Sequence, residues 1–177
     1  MGADLVTFSG AKHIYGPPGT GLLCGRKDLV EACRLQAGPE YGIGRPMKVG
    51  KEEIVGLITA LEMYVEKDHE AERREWESKV RFLLEALAEL PHVEVTRIFP
   101  DEVGRPVPRA RVWVDEQSIG VTAYEIAECL YQGDLPVRIT PFYLHEAALV
   151  LNPLCLQDGE KELVVSAFQR VWGLLQP

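Results

Sequence analysis

Phe8-Ser9-Gly10-Ala11-Lys12-His13-Ile14-Tyr15-Gly16-Pro17-Pro18-Gly19-Thr20-Gly21 is the stretch on which the reading of this chain turns. A short apolar run, Leu5 to Phe8, leads into it, and a second, Thr20 to Cys24, leads out. Both read as strands bracketed by glycine and proline. Lys12 is then an amine held on a tight loop between two strands. Such an amine forms a Schiff base with an aldehyde when its surroundings leave it partly neutral. On spacing alone, an ordinary surface lysine in a turn is the favoured reading.

The run Gly16 to Gly21 invites comparison with a phosphate loop. That motif needs lysine and then Ser or Thr directly after its last glycine, opening a helix. Here Leu22 and Leu23 follow and the next element is a strand, which argues against nucleotide hydrolysis. The turn's N–H groups and the Thr20 hydroxyl can still meet a phosphate, because glycine admits close approach. The simpler role for Thr20 is a hydroxyl that stabilises its own turn.

Outward from this loop, Lys27 to Leu35 reads as a short helix and residues 36–50 as an ordered loop. A long helical stretch is expected from about Lys51 to Leu90, with Ile54, Leu57, Ile58 and Leu61, and later Val80, Leu83, Leu84 and Leu87, at helical spacing. The charged segment Glu66 to Glu75 between them reads as a solvated face or a bend. Beyond Pro91 the pattern becomes that of an α+β module. Strands are expected at Val93–Phe99 and Ala110–Asp115, and a helix at Ala123–Gln132 opened by the capping box Thr122-x-x-Glu125. An antiparallel hairpin is expected from Val137–Leu144 and Ala147–Leu151, and a last helix capped by Asp158. Trp76, Trp113 and Trp172 lie in apolar patterns and read as core.

The 177 residues are 46% hydrophobic, enough for a packed core, and no apolar run approaches the ~20 residues of a membrane span. No signal peptide is visible, and the expected location is the cytoplasm. The net charge of -8 makes nucleic acid a poor partner, since such binders carry a basic stripe. Cys24, Cys33, Cys129 and Cys155 show no CxxC spacing and read as free buried thiols rather than a metal site. No HExxH follows from His145-Glu146, so no metal is expected there. Leu5–Phe8 reads as a buried strand that needs neighbours on both sides. Its place so near Met1 suggests a chain whose first part is missing.

The segment Ser9-Gly10-Ala11-Lys12 with Tyr15-Gly16-Pro17 and Gly19-Thr20-Gly21-Leu22-Leu23 resembles the cofactor-lysine region of fold-type-I pyridoxal-phosphate enzymes. It is similar to the selenocysteine synthase-like family, the relatives of L-seryl-tRNA(Sec) selenium transferase, which include sugar-acid ammonia-lyases. Gly25-Arg26-Lys27-Asp28-Leu29 and Gly44-Arg45-Pro46-Met47-Lys48-Val49-Gly50-Lys51-Glu52-Glu53-Ile54 extend the likeness. Family members commonly have a second glycine where Ala11 stands.

The resemblance implies a mixed α/β and α+β fold. Residues 1–50 would be the C-terminal piece of the large cofactor-binding domain, 51–90 a connecting helix region, and 91–177 the small C-terminal α+β domain. It implies pyridoxal 5'-phosphate as cofactor of the intact enzyme, Lys12 as the Schiff-base lysine, and Gly19 and Thr20 at the cofactor phosphate. Arg45, near Lys48 and Lys51 before a helix start, and Arg138 on a strand of the C-terminal module are the candidate grips for a substrate anion. His13 is a candidate acid/base group or simply a loop residue packed on Tyr15.

The activity implied is that of a lyase or transferase performing α-deprotonation and β-elimination on an amino acid or amino sugar acid. This chain alone would be inactive, completed by a missing N-terminal half or working in a homo-oligomer such as a dimer. The alternative is a non-catalytic self-association or protein-interaction domain derived from such an enzyme.

Overall fold

The computed structural model describes residues 2–175. They divide into two compact units, one ending at Asp68 and the other beginning at His69.

In the first unit β1 (Leu5–Ser9) and β2 (Gly21–Gly25) pair antiparallel, Phe8 opposite Leu22 and Ser9 opposite Gly21. α1 (Lys27–Gln36) follows, its start marked by Arg26 paired with Asp4 and Asp28. A 3-10 turn at Arg45–Met47 and α2 (Lys51–Glu66) complete the unit. β1 is not the buried strand its composition suggests. Val6 and Phe8 are exposed, because the two-stranded ribbon has no layer packed over them among the described residues. Of this unit's large apolar side chains, Leu57 alone is buried among the described residues.

The helical stretch expected from Lys51 to Leu90 is two helices. α2 stops where Lys67 turns extended, and α3 (His69–Leu87) starts two residues later with Glu70 and Glu72 in its first turn, where the helix dipole favours acids. The break falls inside the charged segment.

The second unit packs helices on a three-stranded antiparallel sheet, in the order β3 (Val93–Ile98), β4 (Arg109–Val114), β5 (Ala148–Leu151). Between β4 and β5 run α4 (Glu116–Ile119) and α5 (Ala123–Gln132); α6 (Glu160–Leu175) closes the unit. Side chains alternate along a strand. Ala110, Val112 and Val114 therefore share the fully buried face, with Val80, Leu83 and Leu87 of α3 and Phe168 and Trp172 of α6 in the same core. The Phe168 and Trp172 rings stack at 5.7 Å, and Trp172 Nε1–H donates to the Pro91 carbonyl at 3.1 Å. That bond satisfies the indole's one donor.

The same alternation corrects the reading of Trp113. It belongs to the opposite face of β4 and is 40% exposed, whereas Trp76 and Trp172 are buried. The four cysteines are free but exposed, not buried. The capping box forms as its sequence requires: Thr122 Oγ1 accepts from Glu125 N–H, and the Glu125 carboxylate accepts from Thr122 N–H. The expected hairpin does not form. Pro141 opens a 3-10 helix, Pro141–Glu146, and Ala147 ends it in the left-handed region (φ 55). β5 pairs with β4 instead. At the last helix the carboxylate that fixes the approach is that of Glu160, accepting from Gln157 N–H at 2.7 Å, in place of the Asp158 cap expected. No described helix is long and apolar enough to cross a membrane.

A buried ion pair ties the 99–108 loop to β4. Asp101 accepts from the Val103 and Arg105 backbone N–H groups (3.1 and 2.9 Å), from Arg105 Nε (2.7 Å) and from Arg109 Nη2 (3.0 Å). Arg109, 2% exposed, also donates to Glu102 and to the Asn152 side chain. Burial pushes the Asp101 carboxyl up. The bonds from the Arg105 backbone, the Arg105 side chain and Val103 N–H, with the Arg105 charge, outweigh it and hold the group below its ordinary 3.8. A carboxyl depressed on folding stabilises fully above its unfolded-state pKa, and that contribution is lost as pH falls from 3.8 through the lower folded value.

Asp101→Asn leaves the buried Arg109 charge with only the longer 3.4 Å contact to Glu102 as an acidic partner. The variant should lose about 3–5 kcal/mol of second-unit stability, with a flatter acid limb. Urea unfolding followed by tryptophan fluorescence checks both, since Trp76, Trp113 and Trp172 all lie in this unit. An unchanged midpoint would refute the role given to the pair.

Candidate functional site

The loop carrying Lys12 is closed by its own backbone. Gly10 N–H donates to Thr20 O at 3.0 Å, continuing the β1–β2 ladder by one rung, and Gly16 N–H donates back to Gly10 O at 2.8 Å. Inside that closure Tyr15 N–H is shared between the carbonyls of Ala11 (2.9 Å) and Lys12 (3.0 Å), making a single helical turn. Tyr15 leaves it with φ 60.

Gly10 and Gly16 both lie against Leu57 of α2. A Cβ on Gly10 would overlap Thr20 Oγ1 and come within 2.7 Å of Leu57 Cδ1; one on Gly16 would stand 2.7 Å from Gly10 O. Only glycine fits this approach. Lys12 rides on top of the pinned turn with its side chain exposed.

Thr20 is buried, and its hydroxyl donates to the Pro17 carbonyl at 2.6 Å, while its N–H reaches the same carbonyl at 3.3 Å. Its one donor hydrogen is used inside the turn, which is the simpler of the two roles its position allows. Gly19, at φ 84, has open space where a Cβ would stand, so its backbone can be approached closely. His13 and Tyr15 line a groove of about 550 Å³ with Met63, Tyr64 and Lys67. Lys67 Nζ stands 5.8 Å from the centre of the Tyr15 ring.

Arg45 occupies the 3-10 turn, half-buried, its guanidinium 5.9 Å from the Tyr41 ring. Its Nε is buried with no hydrogen-bond partner among the described residues. Arg45 and Lys48 both flank Gly38, within 3.6 Å of where its Cβ would be. Lys51 begins α2 beside Glu52 and Glu53, so carboxylates of the chain itself stand at that helix start.

Arg138 is not on a strand as expected. Residues 136–140 form no strand, and Val137 N–H donates instead to the Leu130 carbonyl at the end of α5. The Arg138 guanidinium lies 4.8 Å from the Tyr131 ring and borders a cavity of about 490 Å³ shared with Thr140, Asn152 and Glu160. Glu146 pairs with Arg111 at 3.1 Å on the 3-10 helix. Thus Lys12, Gly19 and Thr20 share one loop, Arg45 and Lys48 share a second, and Arg138 belongs to the other unit. Tyr41 and Tyr131, each under a candidate arginine, carried no signal in the sequence, since a ring ten residues or fewer away is common in any chain.

The family model for aminotransferase class-V matches residues 1–106, the segment that includes the whole lysine loop. The chain belongs to the aminotransferase class-V family. It is therefore a fold-type-I, pyridoxal-phosphate family chain, with the mixed α/β architecture expected.

Among its relatives, D-glucosaminate-6-phosphate ammonia lyase of Salmonella typhimurium is 33% identical over 170 residues, covering 96% of this chain and 44% of the relative. 5'-C-glycyluridine monooxygenase-decarboxylase of a Streptomyces species is 38% identical over 164 residues, covering 92% and 40%. L-seryl-tRNA(Sec) selenium transferase of Desulfomicrobium baculatum is 26% identical over 191 residues, covering 96% and 38%. The solved structure of D-glucosaminate-6-phosphate ammonia-lyase superposes with a TM-score of 0.76 at 31% identity, covering 98% of this chain and 45% of that one. The class-V chain thus spans less than half the length of the relatives it matches.

The residues present fit part of the family's cofactor. An exposed amine on a rigid turn suits an aldehyde, and the open backbone at Gly19 suits a phosphate oxygen. Gly10→Ala forces Thr20 and Leu57 apart. Hydrogen exchange should show loss of protection at Gly10 and Gly16, at a local cost of about 1–3 kcal/mol, with tryptophan fluorescence of the second unit unchanged. Retained protection would mean the loop is not held by this contact.

Proposed function

We propose that this chain is the C-terminal part of a pyridoxal-phosphate-dependent lyase or transferase that acts on an amino acid or amino sugar acid. The observation that carries the proposal is the exposed Lys12 amine on a loop locked from Gly10 to Thr20, inside the segment matched by the family model. When bound, the coenzyme supplies the electron sink for carbanion chemistry.

The chain's own residues do the rest. Lys12 Nζ is the nucleophile that attaches the coenzyme and the base that takes the proton from the substrate's α-carbon. The ammonium so formed hands a proton to the departing β-substituent. The rigid turn fixes the Lys12 backbone, so only the side chain's own torsions separate Nζ from the hydrogen-bond distances that proton transfer requires. Gly19 offers backbone to the phosphate, and Thr20 shapes the turn that presents it and adds acceptor lone pairs to the cup.

Arg45, with an unsatisfied buried Nε, and Arg138, beside its cavity, are the proposed grips for substrate anions. The net charge of -8 favours a small-molecule substrate over tRNA. The enzyme would work in the cytoplasm as a homo-oligomer, and this chain by itself would lack turnover. A second reading, a non-catalytic interaction module descended from such an enzyme, draws support from the apolar side chains left exposed in residues 2–68.

Incubation with pyridoxal phosphate, borohydride reduction and peptide mapping test the proposal. Of the seven lysines, Lys12 should carry the label, and a band at about 420 nm should vanish in Lys12→Ala. Labelling spread evenly over the lysines, or absent, would reject the cofactor role and leave the interaction reading.

A further inference from the structure

The buried ion pair of the second unit reaches beyond the 99–108 loop. Arg109 donates from Nη2 to Asp101 and from Nη1 to the side-chain oxygen of Asn152, the residue after β5. Leu154 N–H donates to that same oxygen at 3.0 Å. Both partners are donors only, so they fix which end of the amide is the oxygen. Oδ1 is held on the Arg109 cluster. Nδ2 keeps two N–H donors and has no partner among the described residues.

Asn152 lines the cavity of about 490 Å³ that Arg138 borders, and other polar groups there are uncommitted as well. The Arg138 guanidinium meets the Tyr131 ring but makes no hydrogen bond or ion pair among the described residues. A cation–π contact consumes none of its five N–H donors. Thr140 precedes the 3-10 helix without capping it, and its hydroxyl has no partner among the described residues. Glu160 spends one carboxylate oxygen on Gln157 N–H. The buried side chains Ile139 and Val164 supply an apolar wall.

Donors left unpaired add nothing to folding stability, so their gathering on one cavity points to a ligand. An alkyl carboxylate would satisfy Arg138 alone. A carboxylate that also carries hydroxyls would accept from Asn152 Nδ2–H and Thr140 O–H, donate to Glu160, and lay its C–H edge on the apolar wall.

We propose that this cavity is a subsite for a polyhydroxylated carboxylate, with Asn152 and Thr140 as specificity-determining residues and Arg109 as the positioning residue that orients the Asn152 amide. The proposal rests on the reading of Arg138 as a substrate grip. It narrows the substrate from amino acids in general to the sugar-acid type.

Titration of the full chain with D-gluconate, hexanoate and inorganic phosphate, without coenzyme, tests the proposal. Hexanoate matches gluconate in carbon chain and charge and lacks the hydroxyls. Binding is read from the Asn152 side-chain NH2 signals and the Arg138 Nε–H signal in proton–nitrogen NMR spectra. Gluconate should bind about tenfold more tightly than hexanoate, the yield of one or two added hydrogen bonds. Asn152→Asp keeps an acceptor for Arg109 and Leu154 but removes the NH2 donors. It and Thr140→Val should bring the two carboxylates to within about threefold of each other, with tryptophan fluorescence unchanged. Arg109→Lys keeps the charge beside Asp101 without the fork that spans Asp101 and Asn152, and it should also shrink the preference. Arg138→Met should weaken both carboxylates alike.

Hexanoate binding as tightly as gluconate would overturn the proposal. So would gluconate binding that leaves the Asn152 signals unmoved, phosphate binding more tightly than gluconate, or no binding of any probe. Borohydride labelling of Lys12 is read separately. Labelled Lys12 without a gluconate preference rejects the subsite and keeps the coenzyme reading. A gluconate preference with unlabelled Lys12 keeps the cavity's ligand and rejects the coenzyme reading.

Discussion

Everything specific about this chain depends on two glycines pressed against one leucine. Gly10 and Gly16 share a hydrogen bond, Gly10 closes on Thr20, and Leu57 of α2 fills the space beneath both. The constraint is steric before it is electrostatic: a single methyl group at either glycine would meet backbone or side chain at less than van der Waals distance. Because the closure is local, β1 and β2 must return antiparallel, and Lys12 must crown the turn between them. A flexible loop would leave the lysine amine free to sample many positions. Here the backbone is committed and only the side chain's own torsions remain.

The two units solve the burial problem differently. The second has a sheet with one apolar face, covered by α3 and α6, and a Trp172 whose polar atom finds a carbonyl. Its ion pair is sheltered as well: Asp101 is surrounded by donors, so a buried charge is tolerated. The first unit buries one large apolar side chain and exposes apolar groups on both faces of its ribbon. Conformational entropy opposes ordering every residue of that unit, and little apolar area is removed from water to offset it. The residue assigned the chemistry therefore sits on the less self-sufficient part.

Much of the plan was legible along the chain. The Gly-Pro punctuation around Lys12 set the strand–loop–strand unit, and Thr122-x-x-Glu125 announced α5. The spacing of Val80, Leu83 and Leu87 marked a core-facing helix. These are signals in which a few neighbouring residues carry the whole physical cause. Other readings failed where the cause was distant. Trp113 reads as core from its apolar surroundings, but register with β3 and β5 turns it outward. The 137–151 hairpin failed because β5 found its partner in β4, across the intervening helices. The cysteines were expected to be buried, but thiol chemistry says little about depth.

For the site, the loop residues Lys12, Gly19 and Thr20 were readable as one group, since sequence neighbours on a tight turn stay neighbours in space. The Thr20 hydroxyl's commitment to Pro17 was not, since a hydroxyl three residues from a carbonyl can point either way until the turn is built.

The amino-acid sequence by itself determined the fold-type-I family and the place of Lys12 on a glycine-rich loop between two strands, because these rest on contiguous motif residues. The tertiary structure alone decided that Leu57 is the wedge beneath the loop, that Arg138 borders a cavity from a segment that forms no strand, and that the first unit keeps its apolar faces open. Those outcomes depend on which surfaces meet, and packing between distant segments is a property of the whole fold that no short stretch encodes.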